Sequence, residues 1–230
     1  ALMQKGGIPA SFDGRQIFIP EGTYHFDRFV VESDWSAASY WYQVAALMPG
    51  SVIRLPRLEQ DSLQGDAVLV SLFQTLGVES SFESDAVHLR SGEVVHSGLF
   101  EYDFTACPDL TQTIAVTLCA LGIPFRFSGT RTLRVKETDR VTALQTELGK
   151  FGFSLDADAG GDWISWDGSR GQAEKDPCIE TYHDHRMAMA FAPLALPFGK
   201  VSVNDPMVVT KSYPAYWEDL EKAGFSISTL

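Results

Sequence analysis

Three aspartates, Asp34, Asp109 and Asp184, stand at equal spacings of 75 residues, and each opens a similar helical pattern. Asp34 precedes Trp-Ser-Ala-Ala-Ser-Tyr-Trp, Asp109 precedes Leu-Thr-Gln-Thr-Ile-Ala-Val, and Asp184 precedes His-Arg-Met-Ala-Met-Ala-Phe. A fixed period of this length constrains the fold more than any local propensity, because each copy must form the same supersecondary unit and bury the same face. Each Asp reads as an N-cap that accepts hydrogen bonds from first-turn amides of a buried, small-residue-rich helix. Those helices are expected to stop at Pro49-Gly50, Gly122 and Gly199.

A second helix is expected in each copy, starting near Asp66, Glu137 and Ser212 and ending near Gly77, Gly152 and Gly224. In the middle copy Val141, Leu144, Leu148 and Phe151 mark one buried helical face. β-rich runs lie between the helices: Ser51-Val-Ile-Arg-Leu, Pro124-Phe-Arg-Phe-Ser and Lys200-Val-Ser-Val-Asn. Strand pairs such as Phe153-Ser-Leu-Asp with Asp162-Trp-Ile-Ser-Trp follow the second helix. The pattern predicts an α/β (α+β) fold with a pseudo-threefold repeat of βαβαββ units, over about 26–98, 99–172 and 173–230, the last ending on Phe225-Ser-Ile-Ser-Thr. Residues 1–25 are set apart. Within them, Ala10 to Gly22 resembles the closing hairpin of a preceding unit, as expected of a chain that begins in mid-protein, with a free-standing hairpin as the alternative.

Charge narrows the partners. With 30 Asp and Glu against 18 Lys and Arg the net charge is −12, the wrong sign for tracking nucleic acid or an anionic membrane. Small molecules are the expected ligands. No apolar run reaches the ~20 residues of a membrane span, and the longest, Met187 to Phe198, is interrupted by Pro193 and Pro197. The three cysteines, Cys107, Cys119 and Cys178, form neither a disulfide framework nor a metal motif, which suits a reducing, cytoplasmic setting.

Against the acidic background, Arg126, Arg131, Arg134, Lys136 and Arg140 fall close together, and Arg186 and Lys211 sit near other helix starts. A cation in a first turn opposes the helix dipole at a cost of about 0.3–1 kcal/mol, so its recurrence calls for an anion, from a local carboxylate or a ligand. With Glu137 and Asp139 interleaved, the run reads either as a self-neutralised turn or as an anion site. His185 reads either as a satisfied structural group or as a contact to the same anion or an orienter of its neighbours, whereas His183 and His185 at i, i+2 share no helical face for a metal. Phosphate-loop, dinucleotide and nucleophile-elbow motifs are all missing from the sequence. Trp35, Tyr40, Trp41 and Tyr42 read as core or domain-edge residues.

Leu133-Arg-Val-Lys-Glu-Thr-Asp-Arg140 resembles the R-x-K-E-S/T-D-R signature of the EPSP synthase (3-phosphoshikimate 1-carboxyvinyltransferase) family, and Asp184-His-Arg-Met-Ala-Met-Ala190 resembles its second signature. Glu32-Ser-Asp-Trp-Ser-Ala-Ala-Ser-Tyr, Leu63-Gln-Gly-Asp66, Pro108-Asp109 and Thr210-Lys-Ser-Tyr-Pro214 extend the similarity over nearly the whole chain. The family fold has six βαβαββ units in two domains, so the resemblance implies a C-terminal half whose partner is an N-terminal half of the same protein. It implies transfer of the enolpyruvyl group of phosphoenolpyruvate to the 5-hydroxyl of shikimate 3-phosphate through a tetrahedral intermediate, with release of phosphate and no cofactor or metal.

By motif position, the resemblance makes Asp109, Glu137 and Lys136 catalytic. Asp109 accepts a proton and bonds shikimate hydroxyls, Glu137 exchanges protons with the phosphoenolpyruvate methylene, and Lys136 contacts shikimate 3-phosphate. Arg140, His185, Arg186 and Lys211 are carried over to phosphoenolpyruvate, and Thr132 stands where the family usually has Asn, offering shikimate a single hydroxyl. The family's remaining site groups, from its first domain, have no counterpart in this sequence. The alternatives are another enolpyruvyl transferase acting on a UDP-sugar, disfavoured by the Lys-Glu-Thr-Asp-Arg run, and a catalytically silent anion-binding module.

Overall fold

The computed structural model of the chain describes residues 1–26, 28–83 and 85–229. A short helix α1 (Leu2–Lys5) leads into a hairpin of β1 (Ser11–Phe12) and β2 (Ile17–Phe18), whose residues are all exposed. The first repeat departs from the expected βαβαββ order, having no strand among the described residues between β2 and helix α2 (Trp35–Leu47), which is followed by β3 (Val52–Pro56), a 3-10 turn and α3 (Leu69–Thr75), and the pair β4 (Val78–Glu83) and β5 (Ala86–Ser91). The middle repeat runs β6 (Phe100–Asp103), α4 (Thr111–Leu121), β7 (Phe125–Ser128), α5 (Arg140–Lys150), β8 (Asp156–Ala157) and β9 (Trp163–Trp166). The third runs β10 (Cys178–Ile179), α6 (His185–Phe191), α7 (Ala195–Phe198), β11 (Ser202–Val203) and α8 (Tyr216–Lys222).

Sheet order makes the equivalence plain. The first repeat pairs β3-β5-β4 and the second β6-β7-β9-β8, with the last strand of each pair inserted between the other two. β6 with β7 and β10 with β11 are parallel, whereas β9 and β5 run antiparallel to both of their neighbours. Alternation fixes the inner faces: Phe125, Phe127, Ile164 and Trp166 are buried while Arg126 and Ser128 face out. The glycines after the second helices also correspond. Gly77 and Gly152 both have φ of 85°, and a Cβ on either would lie 2.6 Å from a carbonyl oxygen, of Glu93 and Gly171 respectively.

The core is built on α2, α4 and α6. Residues Thr111 to Cys119 of α4 are all buried, so this helix is enclosed on every side, and small side chains let its neighbours approach closely. Polar groups join the three helices at matching levels: Ser39 Oγ lies 3.2 Å from Thr113 Oγ1, Gln112 Nε2 donates to Met187 Sδ at 3.0 Å, and Gln43 Nε2 donates to the Ala190 carbonyl at 3.0 Å. The helix starts are thereby gathered toward one end of the domain.

Several expectations need correction. Asp34 and Asp184 cap their helices, accepting from Ser36 N at 2.8 Å and Arg186 N at 2.9 Å, but Asp109 does not. It lies inside a 3-10 turn, Pro108–Leu110, that runs straight into α4, and its carboxylate turns away to three cations. The second helices proper begin later than expected, at Leu69, Arg140 and Tyr216, after 3-10 turns. Phe153 makes only an isolated bridge with Arg170, and the strand expected there is reduced to β8. The run 225–229 is not a strand. In the other two repeats that element pairs with the inserted strand, and the third repeat has none among the described residues, so nothing completes its hydrogen bonds. No helix among the described residues is long and apolar enough to cross a membrane.

Candidate active site

Arg140 is the anchor. It is the first residue of α5, whose cap Asp139 accepts from Thr142 N at 3.1 Å, and its side chain is 1% exposed. A buried guanidinium needs partners on every side, since desolvation without them costs several kcal/mol. Arg140 Nε donates to Asp184 Oδ2 at 2.7 Å, Nη1 to Asp109 Oδ1 at 2.9 Å, and Nη2 to Glu137 Oε2 at 2.7 Å. Asp184 is fully buried, so it joins the start of α6 to the start of α5 with a single carboxylate.

Asp109 is the second junction. Its Oδ1 also lies 3.4 Å from Lys136 Nζ, and its Oδ2 lies 3.0 Å from Arg186 Nη2. Three cations from three segments thus converge on one carboxylate. Burial by itself would raise the Asp109 carboxyl, but Arg186, Lys136 and Arg140 outweigh it and hold the group below its ordinary 3.8. Glu137 is lowered likewise: burial opposes the shift, while its own backbone N–H, Arg140, His185 and Arg186 produce it. Lys136, Arg140 and Arg186 are balanced by Asp109, Glu137 and Asp184, so every cation of the cluster is already in an ion pair.

His185 sits inside this arrangement. Its ring is largely buried, Nδ1 has no hydrogen-bond partner among the described residues, and Asp184 Oδ1 is 3.9 Å away. Burial, reinforced by Arg186, lowers its pKa from 6.5 against the pull of Asp184 and Glu137. Lys211 ends the 3-10 turn Pro206–Lys211, and its Nζ donates to the His183 carbonyl at 2.6 Å, which sets it at the threshold of α6. Thr132 stands apart from the cluster, exposed in the turn Arg131–Val135 and without a side-chain hydrogen bond among the described residues.

Two members escaped the sequence. Tyr40 of α2 is fully buried close to Arg186, with burial pushing its hydroxyl up to about 12, and that hydroxyl has no hydrogen-bond partner among the described residues. Arg186 Nε is buried and unpartnered in the same way. Asp66, hydrogen-bonded by the Ser36 hydroxyl, is raised above 3.8 by burial and adds negative charge on that side of Arg186. Nothing in helical periodicity marks Tyr40, because every residue of α2 from Ala38 to Ala46 except Trp41 is buried. No group of three or more His, Cys, Asp or Glu that could hold a metal occurs among the described residues. A cavity of about 690 Å³ between α2, β3 and α8 is lined by Trp41, Ile53, Leu55 and Tyr213, and none of Asp109, Lys136, Glu137, Arg140, Asp184 and Arg186 lines it. The cluster itself lies on an open face, with Glu137 and Lys136 partly exposed.

Comparison with known proteins gives one consistent match. The profile of the family described as EPSP synthase (3-phosphoshikimate 1-carboxyvinyltransferase) covers residues 1–220. The 3-phosphoshikimate 1-carboxyvinyltransferase of Bacteroides fragilis strain YCH46 is 47% identical over 227 residues, spanning 98% of this chain and 55% of the relative. Among solved structures, an EPSP synthase from Acinetobacter baumannii superposes with a TM-score of 0.74 at 20% identity over 99% of this chain and 54% of that one. The enolpyruvyl transferase NikO from Streptomyces tendae gives 0.63 at 16% identity over 99% and 52%. The chain spans about half the length of the curated relatives it matches.

Proposed function

The chain belongs to the EPSP synthase family, and from that premise we propose that it forms one wall of a two-part active site transferring the enolpyruvyl group of phosphoenolpyruvate to the 5-hydroxyl of shikimate 3-phosphate. The observation that carries the reading is the convergence of Lys136, Arg140 and Arg186 on the single Asp109 carboxylate. Both substrates bring phosphate and carboxylate groups, and a nest of fixed cations is what such anions need.

In the proposed reaction the shikimate 5-hydroxyl oxygen bonds to C2 of phosphoenolpyruvate while its proton passes to Asp109. The methylene carbon takes a proton from Glu137, giving a tetrahedral adduct. The C–O bond to phosphate then breaks, phosphate leaves with the electron pair and takes up the proton held by Asp109, and a methyl proton returns to the Glu137 carboxylate to restore the double bond. Lys136, 3.4 Å from Asp109 Oδ1, contacts the shikimate phosphate in this scheme.

The ion pairs of the resting site give this scheme an order. Glu137, held ionised against Arg140, cannot act as an acid until it is released. A substrate anion that takes its place on Arg140 removes the stabilising cation and adds a negative neighbour, and both changes raise the Glu137 pKa toward neutrality. Binding thereby charges the acid with its proton. Lys211 and His185 complete the phosphoenolpyruvate side, and Thr132 meets shikimate at the rim. Residues 1–25 belong to the other half of the protein, which supplies the second wall and excludes water, and the unpaired cysteines fit the reducing cytoplasm.

The test is to mix the 230-residue chain with a separately produced N-terminal half and measure phosphate release with both substrates present. Release is expected only from the mixture. Turnover by the chain alone would overturn the two-wall reading, and silence of the mixture with both halves folded would leave an anion-binding module without catalysis.

A further inference from the structure

Glu147 is a wholly buried carboxylate that the proposed reaction does not use. It lies seven residues beyond Arg140 on α5, two turns along the same face. Its Oε2 accepts from Lys150 Nζ at 2.7 Å and from the Glu180 amide at 3.1 Å, and its Oε1 accepts from the Tyr182 hydroxyl at 2.7 Å. Lys150 Nζ donates in addition to the Cys178 carbonyl at 2.7 Å. The helix therefore grips the segment 178–184 at two points, through Glu147 and Lys150 at one end and through the Arg140–Asp184 pair at the other.

Between those grips the backbone is unusual. The Asp184 amide closes a turn onto the Thr181 carbonyl at 2.8 Å, and its two central residues, Tyr182 and His183, both have positive φ, 52° and 58°. That combination is the signature of a type I′ turn, which favours Asn and Gly and strains a side chain that branches into a ring. Such a conformation persists only where surrounding contacts over-determine it. Here the contacts are the Tyr182 hydroxyl on Glu147, His183 Nδ1 at 3.1 Å from Asp205 Oδ2, and Lys211 Nζ on the His183 carbonyl. The turn delivers the chain directly into Asp184, His185 and Arg186.

We propose that Glu147 is a positioning residue for the site: by holding the Tyr182–His183 turn left-handed it fixes where Asp184, His185 and Arg186 stand relative to Arg140. The inference rests on the reading that residues 184–186 belong to the site, and its test does not depend on turnover.

The experiment follows the imidazole of His185 by NMR titration in the 230-residue chain, with a His185→Gln variant to assign the signal and circular dichroism to verify folding. The groups around that ring are Asp184, Glu137, Arg186 and Arg140. Tyr182→Phe and Glu147→Ala should both raise the His185 midpoint by about half a pH unit or more, as the start of α6 loosens and the ring gains water. Glu147→Gln, which keeps one acceptor, should fall between these variants and the parent. Glu147→Ala combined with Tyr182→Asn and His183→Gly should return the midpoint to the parent value, because Asn-Gly takes this turn unaided.

A midpoint unmoved in folded Tyr182→Phe overturns the proposal, as does a shift in Glu147→Ala that the Asn-Gly turn fails to reverse, since Glu147 would then act only through core packing. Should Glu147→Ala not fold, Tyr182→Phe decides alone, removing one oxygen from a residue that is 37% exposed. A silent mixture of the two halves in the turnover assay would leave the titration result standing, so the two failures are distinguishable.

Discussion

Asp184→Asn isolates the buried ion pair from every other job of that residue. Asn caps a helix about as well as Asp, and it is isosteric, so packing around α6 is unchanged. One amide cannot serve both partners, however. With its oxygen toward the Arg186 amide, the Asn nitrogen faces Arg140 Nε, donor against donor, at a site where the carboxylate oxygen lies 2.7 Å away. With the amide flipped, the cap is lost instead. Breaking a buried pair by deleting one partner costs about 3–5 kcal/mol when the other charge is stranded, but Arg140 keeps Asp109 and Glu137. The loss is then that of one charge-assisted hydrogen bond and its desolvated donor, about 2–3 kcal/mol. For a chain of this size that corresponds to a fall in Tm of about 4–12 °C. Asp184→Ala, which also loses the cap, should cost about 1 kcal/mol more. Equilibrium urea unfolding followed by circular dichroism measures both. An Asp184→Asn midpoint indistinguishable from the parent at equal m-value would refute the argument, because it would mean that the pair's Coulomb energy only cancels its own desolvation.

Glu137→Gln, which keeps shape and removes the transferable proton, should lower turnover of the recombined halves by about 100- to 10,000-fold, with shikimate 3-phosphate affinity little changed; near-normal turnover refutes the acid role. Asp109→Asn should divide binding from catalysis: freeing Lys136 and Arg186, while Arg140 keeps Asp184 and Glu137, raises the isolated chain's affinity for phosphoenolpyruvate by about 2–5-fold at low salt, read by calorimetry, while turnover of the mixture collapses. Unchanged or weaker binding would show that Asp109 is not the resting occupant of an anion site. The pH dependence of stability follows from His185, Asp109 and Glu137, all of whose pKa values are lowered in the folded state. In each case the unfolded chain binds more protons as pH falls, so stability should decline below about pH 6.5 through His185 and again below the ordinary carboxyl range through the two acids. His185→Gln should flatten only the first decline, and a slope unaltered by that variant would contradict the burial argument.

The repeat was legible because symmetry about the helix trio leaves a one-dimensional trace: Gln112 and Met187, which touch across α4 and α6, are themselves 75 positions apart. The buried face of α5 was legible for the same kind of reason, since Val141, Leu144, Leu148 and Phe151 follow helical period and all are fully buried. What the sequence could not carry was partner choice between distant positions. Asp109 matches Asp34 and Asp184 in place and type, yet it gives up capping because Arg140, Lys136 and Arg186 surround it, and none of those three is near it in sequence. Asp184 was recognisable as a cap but not as the counter-ion of Arg140, and Tyr40 and Glu147 gave no signal, because burial of a polar group shows only when its neighbours are known. The missing pairing of 225–229 has the same origin: β-propensity is a local quantity, and a strand exists only beside another one.

The repeat also explains why the site is lopsided. Two residues after the three equivalent aspartates stand Ser36, Thr111 and Arg186, so a single copy puts a guanidinium at this level of the helix trio. The first copy answers its serine with Asp66, and the second sends Asp109 toward the cations of α5. A symmetric scaffold with a symmetric charge pattern would present an anion with three equal poses. Here the backbone supplies threefold convergence of helix starts, and the side chains break it into an acidic sector near Asp66 and a cationic sector around Arg140 and Arg186. In the proposed reaction this asymmetry would admit a ligand carrying several anionic groups in one orientation, because a rotated pose would set phosphate against Asp66 or Asp34 at a cost that rises as water is excluded.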